Sequence, residues 1–214
     1  MRTYLFKNPD WFRWIYRTAL WKVKTSQKEI YLTFDDGPST EVTDWVINIL
    51  SEYDARGTFF CVGSQILKHP DILRKLQVKG HAIGNHTLNH VNGRKCSVNS
   101  YLQEVEDTQK LLKLYNPDKL FRPPYGKINF KQFWQLREKN YQIVMWSHLS
   151  GDFDSNLNIK NSIKSLKKAP AGSILVFHDS RKGFENLQQI LPVVLEHFST
   201  LGFQFKTLRD DPVS

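Results

Sequence analysis

Residues 29–40 read EIYLTFDDGPST. An apolar run rich in β-branched and aromatic side chains stops at two adjacent carboxylates, Asp35 and Asp36. Gly37 and Pro38 then turn the chain. Burying charge is costly, so two carboxylates closing a buried strand need a chemical reason. The next stretch, EVTDWVINILSEYDA (41–55), repeats apolar residues at helical period, and GTFFCV (57–62) is again short and apolar. A strand, a turn, a helix and a second strand form the unit of a parallel sheet.

The alternation continues. Strand-like runs are HAIGN (81–85), LFRPP (120–124), YQIVMW (141–146), SILVFH (173–178) and FQFKTL (203–208). Helical period returns in SVNSYLQEVEDTQKLLKLY (97–115) and GFENLQQILPVVLEHFST (183–200). The pattern predicts an α/β fold with parallel strands, and about seven strands in 214 residues suit a barrel better than an open sheet. Polar residues follow the strands: Asn85 and His86 the third, Arg122 the fourth, Ser147 and His148 the fifth, His178 and Asp179 the sixth. In α/β folds the C-terminal strand ends carry the chemistry, so these groups are expected to converge on one mouth.

Hydrophobic residues make up 40% of the chain and aromatics 13%, enough for a core and too much for a disordered chain. Thirty Lys and Arg against 21 Asp and Glu give a formal charge of +9. That balance suits an anionic partner, and a solvated basic face explains it equally. No nucleic-acid-reading motif accompanies the charge, so no nucleic-acid partner is expected. Two cysteines, Cys61 and Cys96, make no disulfide framework, and Cys61 reads as a small buried apolar residue. No run is long enough for a transmembrane helix, and Arg13 and Arg17 interrupt the aromatic start of the chain where a signal peptide would need an apolar core. The expected location is therefore cytoplasmic.

Residues 1–28 lie apart from the motifs, and 29–214 hold the expected catalytic domain. Within 1–24, Trp11, Trp14, Ile15, Thr18 and Trp21 approximate one helical face, and Arg2, Lys7, Arg13, Arg17, Lys22 and Lys24 stand against a single Asp10. One reading is a helix closing the bottom of the barrel. The other is an aromatic, cationic contact with a membrane surface.

HTLNH places His86 and His90 four residues apart, on one face if the segment forms a helical turn. Two imidazoles and one carboxylate, with a position open to water, make a catalytic metal site of the zinc type. Asp36 or Asp35 supplies the carboxylate on this reading, and the other aspartate, outside the ligand set, takes a proton from activated water. A lone DDG is more simply a turn, but a histidine pair at another strand end alters the balance. Arg122, in the stiff loop FRPPYG, can hold a carboxylate, and the N–H groups of Tyr125 or Gly126 can be aimed at an oxyanion. His178, in ILVFHDS, is suited to protonate a leaving group.

Together TFDDGP, HTLNH, RPPYG, WSHLSGDF and LVFH resemble, in order, the motifs of the polysaccharide deacetylases of carbohydrate esterase family four, over Glu29 to Leu208. The resemblance implies a distorted (β/α) barrel and a divalent ion, zinc foremost and cobalt as an alternative, held by Asp36, His86 and His90. It implies Asp35 as catalytic base fixed by Arg122, His178 as general acid, and the Tyr125 N–H as oxyanion donor. It implies removal of N-acetyl groups from an amino-sugar glycan such as peptidoglycan or chitin. Alternatives are a lipid-linked or lipopolysaccharide precursor as substrate, or a catalytically silent glycan-binding protein. The silent reading ranks last because base, ligands and acid are all present. The fourth motif departs from the family pattern. Leu149 stands where an aspartate expected to tune the acid histidine would be, and Phe153 where a tryptophan would be. Asp152 or Asp179 is then expected to take over that role, or His178 titrates near its free value.

Overall fold

The computed structural model describes residues 16–209. The strands are β1 (Glu29–Asp35), β2 (Gly57–Cys61), β3 (Ala82–Asn85), β4 (Leu120–Phe121), β5 (Gln142–Ile143), β6 (His148–Leu149), β7 (Ile174–His178) and β8 (Gln204–Phe205). The helices are α1 (Thr40–Glu52), α2 (Gly63–Lys68), α3 (Pro70–Val78), α4 (Val98–Leu111), α5 (Phe130–Glu138), α6 (Ile159–Leu166) and α7 (Phe184–Thr200). Seven strands follow one another in the order β5-β4-β3-β2-β1-β7-β6, and β8 adds to the start of β1. Every strand pair is parallel. This is the expected parallel α/β architecture, a distorted (β/α) barrel.

β1 shows why the sheet curls around a filled interior. Ile30, Leu32 and Phe34 point outward into one cluster with α1 and α7, through residues such as Val42, Val46, Leu50, Leu187, Leu191 and Val194. Tyr31 points the other way, packing with Phe60, Leu120, Val144 and Ile174. The period of two along a strand separates these faces, and residues buried on both sides produce the near-continuous apolar run seen in the sequence.

The barrel is split on one side. Residues 142–149 form a single passage whose first part pairs with β4 and whose second part pairs with β7. The sequence reading ended this passage too early and joined Ser147 and His148 to the mouth. In the structure Ser147 lies low in the barrel, its N–H donating to Ile174 O at 3.0 Å and its hydroxyl to Trp21 O at 2.9 Å. His148 pairs with Leu175, on the outer face of β7.

Where the passage changes neighbours, the chain before β1 enters as a strap. Leu20 bridges Val144 and Lys22 bridges Ser173. Leu20 N–H donates to Ile143 O at 2.8 Å, and Val23 N–H to Gly172 O at 2.9 Å. Tyr16, Ala19, Trp21 and Val23 are buried. The helix expected across this region is absent over 16–22, where turns and bridges replace it. Trp21, placed on one face of that expected helix, is in the core. Thr18 of the same face is exposed, and Trp11, Trp14 and Ile15 lie outside the described residues. Among those described, no helix is long and apolar enough to cross a membrane.

Candidate active site

Alternation along β1 brings Thr33 and Asp35 to the barrel interior and would send Asp36 outward with Phe34. The backbone breaks the pattern: Asp36 has φ 79°. This left-handed conformation is uncommon for a residue with a Cβ, though Asp is among the few that adopt it. It re-aims the Asp36 carboxylate, so adjacent carboxylates serve one mouth from different directions. The following turn is equally specific. Gly37 N–H donates to Asp179 Oδ1 at 3.1 Å, and a Cβ on Gly37 would collide with that carboxyl group.

Asp35 is fixed from below. The Arg122 guanidinium is fully buried. Its Nη1 donates to Asp35 Oδ1 and to Thr33 Oγ1, both at 2.7 Å, and its Nη2 to Met145 O at 3.0 Å. Its plane lies over the Phe60 ring, 4.2 Å from the centroid. A buried cation with these bonds is an anchored counter-charge rather than a mobile one. Thr33 and the Met145 carbonyl carry no sequence signal of their own. Position two before Asp35 was the only hint for Thr33.

His86 and His90 lie in an irregular loop, correcting the helical turn expected for them. Thr87 and His90 have φ 65° and 54°. Asn85 shapes this loop instead of facing the mouth: its Oδ1 accepts from Thr87 N–H at 3.0 Å and its Nδ2 donates to Val105 O at 2.8 Å. Burial pushes the His86 imidazole down to about 4, outweighing the pull of Asp35 and Asp36, so it is neutral near pH 7. Its Nδ1 sits 2.7 Å from Arg122 O, an acceptor only, so the proton is on Nδ1 and the Nε2 lone pair is free. His90 Nδ1 is 3.1 Å from the Tyr125 hydroxyl.

Asp36 Oδ1 lies 3.0 Å from His90 Nε2 and 3.7 Å from His86 Nε2. The three ligand atoms fall within 4.8 Å of one another. Burial raises the Asp36 carboxyl, but the hydrogen bond from His90 and the charges of His178, His86 and His90 hold it well below the usual carboxylate range. A permanent anion facing two imidazole nitrogens, each ring held through its other nitrogen, is a donor set that fits a divalent ion.

His178 ends β7 beside Asp35, its partner in register. Asp152 holds it twice: Oδ1 lies 2.6 Å from His178 Nδ1, and Oδ2 accepts from the His178 backbone N–H at 2.9 Å. Burial alone would lower the imidazole, but the Asp152 carboxylate and its hydrogen bond, with Asp36 and Asp35 behind them, push it up to about 9. The Phe153 ring meets His178 edge-on at 4.9 Å. Asn186 Nδ2 donates to Asp152 O at 2.9 Å and fixes the loop. Of the two aspartates left open by Leu149, Asp152 is the one hydrogen-bonded to His178. Asp179 is occupied elsewhere, accepting from Gly37 N–H and, at 2.6 Å, from the Thr43 hydroxyl. Its burial pushes its carboxyl up to about 7.

Tyr125 stands at the rim with φ 59°, 61% exposed. Among the described residues its backbone N–H donates to no protein acceptor. The structure therefore gathers Asp35, Asp36, His86, His90, Arg122, Tyr125, Asp152 and His178 around one mouth.

Comparison with known proteins bears on the family and the fold. The family model described as polysaccharide deacetylase matches residues 22–144. A peptidoglycan-N-acetylglucosamine deacetylase of Bacillus cereus is 31% identical over 193 residues, covering 89% of this chain and 91% of that protein. A chitooligosaccharide deacetylase of Azorhizobium caulinodans is 35% identical over 162 residues, 74% of this chain and 77% of that one. Among solved structures, a peptidoglycan N-acetylglucosamine deacetylase in complex with 4-naphthalen-1-yl-N-oxidanyl-benzamide superposes with a TM-score of 0.83 at 29% identity, over 93% of this chain and 95% of that one.

Proposed function

From the premise that the chain belongs to the polysaccharide deacetylases of carbohydrate esterase family four, we propose that it is a metal-dependent N-deacetylase of amino-sugar glycans, peptidoglycan or chitin-like. The observation that carries the reading is the pairing of two fixed proton-transfer groups around one ligand set. Asp35 is clamped by Arg122, and His178 by Asp152, with Asp36, His86 and His90 at the same mouth.

Asp36, His86 and His90 are the ligands, and two imidazoles with one carboxylate favour zinc. When bound, the ion supplies Lewis acidity toward the acetamide carbonyl and toward water. Asp35 is the general base. The Arg122 bond holds its carboxylate pointed into the mouth, ready to take a proton from the attacking water. The Tyr125 N–H, unpaired among the described residues, donates to the oxygen that gains charge, a contribution of about 3–4 kcal/mol for one such donor. His178 enters the reaction protonated, because Asp152 stabilises the imidazolium, and gives its proton to the departing sugar nitrogen. The products are acetate and a free amino sugar.

The test is acetate release by zinc-loaded protein across peptidoglycan, chitooligosaccharides and acetylated xylan. Release from the N-acetylated glycans is expected. Release from xylan alone would replace the amide reading with an ester one, and none from any of them would refute it.

A further inference from the structure

Beside the mouth, the loops that carry His90 and Tyr125 run on into a second structure that the reaction above does not use. After His90 the chain makes a 3-10 turn (Gly93–Lys95), and after Tyr125 it enters α5 at Phe130. These loops are stapled together. Gly93 N–H donates to Lys127 O at 3.1 Å, and Gln132 Nε2 donates to Gly93 O at 2.8 Å. Asn129 and Gln132 close a capping box, and the Tyr16 hydroxyl donates to Ile128 O at 3.0 Å. A surface tied down at this many points is preorganised for binding.

What it displays is unusual for a solvent-facing surface. Phe130 and Trp134, one turn apart on α5, are 58% and 41% exposed, and their rings meet edge-on at 5.9 Å. Around them stand Arg94, Lys95, Lys127 and Lys131, all exposed. None of the four forms an ion pair among the described residues. The sequence contains no Asp or Glu from 91 to 103 or from 119 to 137, so neither segment carries a carboxylate of its own. Elsewhere surface cations do have partners, as in Lys75–Asp44 and Arg181–Glu41.

We propose that Arg94, Lys95, Lys127, Phe130, Lys131 and Trp134 form an auxiliary glycan subsite that holds a carboxylate-bearing stretch of the polymer next to the sugar being deacetylated. The aromatic faces offer large, rigid apolar area to the C–H faces of sugar rings. The cations complement carboxylates on the glycan or its substituents, which fixes register and favours anionic over neutral polymers. This rests on the deacetylase reading for its substrate class. A glycan is favoured over a lipid surface because the platform continues the two loops that hold the reaction centre, so a polymer crossing the mouth also crosses it.

The test is retention of the intact protein on insoluble peptidoglycan, which bears carboxylates, and on chitin, which bears none, at low and high salt. Wild type should bind peptidoglycan more tightly, with the preference lost at high salt. Replacing Arg94, Lys95, Lys127 and Lys131 by Gln should weaken peptidoglycan retention about tenfold or more and leave chitin unchanged. Phe130→Ala with Trp134→Ala should weaken both, with the melting temperature retained as a control for folding. Equal wild-type retention on both glycans, or variants that bind as wild type does, would overturn the proposal. So would charge variants that lose binding to anionic vesicles while keeping peptidoglycan, which would assign the surface to a membrane. Acetate release from a short neutral N-acetylated saccharide is followed in parallel. Absence of release in wild type from this saccharide and from peptidoglycan alike would sink the deacetylase reading, while retention still decides the subsite.

Discussion

Asp152 grips His178 with both carboxylate oxygens, one on the ring Nδ1 at 2.6 Å and one on the backbone N–H at 2.9 Å. The bond orients the ring and holds its pKa up, to about 9 against a free value of 6.5. A general acid must be protonated, so activity should persist into mildly alkaline pH and fall as His178 loses its proton. Asp152→Asn leaves burial unopposed and should move the alkaline limb of kcat/KM down by roughly 1–2 pH units. A loss of rate with the limb unmoved would make Asp152 merely structural. The linkage has the matching sign. The folded value lies above the unfolded one, so the stabilisation is full below pH 6.5 and is lost as pH rises through about 9.

Asp35→Asn keeps the shape and removes the base. We expect acetate release to fall by about 10²–10⁴, with zinc affinity by competition titration nearly unchanged. Normal release would remove Asp35 from the mechanism.

Arg122→Met strands Asp35 as a buried anion. The expected cost is about 3–5 kcal/mol in chemical denaturation, partly recovered when Asp35→Asn is added. A loss under about 1 kcal/mol would mean that Asp35 is not dependent on Arg122 for its charge.

Chelation should abolish activity and zinc should restore it. Tyr125→Phe removes the hydroxyl from His90 Nδ1 while keeping the backbone N–H. Zinc affinity should fall by about 10-fold, up to 100-fold. Unchanged affinity would show that the loop alone orients His90.

Gly172 has φ 78°, and a Cβ there would strike the Val23 carbonyl of the strap. Gly172→Ala should cost about 1–3 kcal/mol, readable as a lowered melting temperature. A variant melting with wild type would show that the strap moves aside freely.

The parallel α/β class and the strand ends bearing Asp35, Asp36, His86, Arg122 and His178 were legible in the sequence. Each strand is a local apolar run, and each polar group follows its strand within one or two residues. Motif order then divided the tasks between the two aspartates. The partner of His178 was legible only as a choice between Asp152 and Asp179. Residues 142–149 change neighbours halfway, so a pattern reading ended the strand at Ser147 and His148, while the passage continues to Asp152. Such a switch is made by hydrogen bonds to β4, β7 and Leu20, residues distant in sequence. The same holds for the aim of Asp36, set by a positive φ that the loop contacts of Asp179 support, and for the strap that buries Trp21, where helical period predicted a helix. Local sequence determined most of the elements and placed Asp35, Asp36, His86, Arg122 and His178 at strand ends. Tertiary structure decided which group holds which, because those bonds join residues that only the closed barrel brings together.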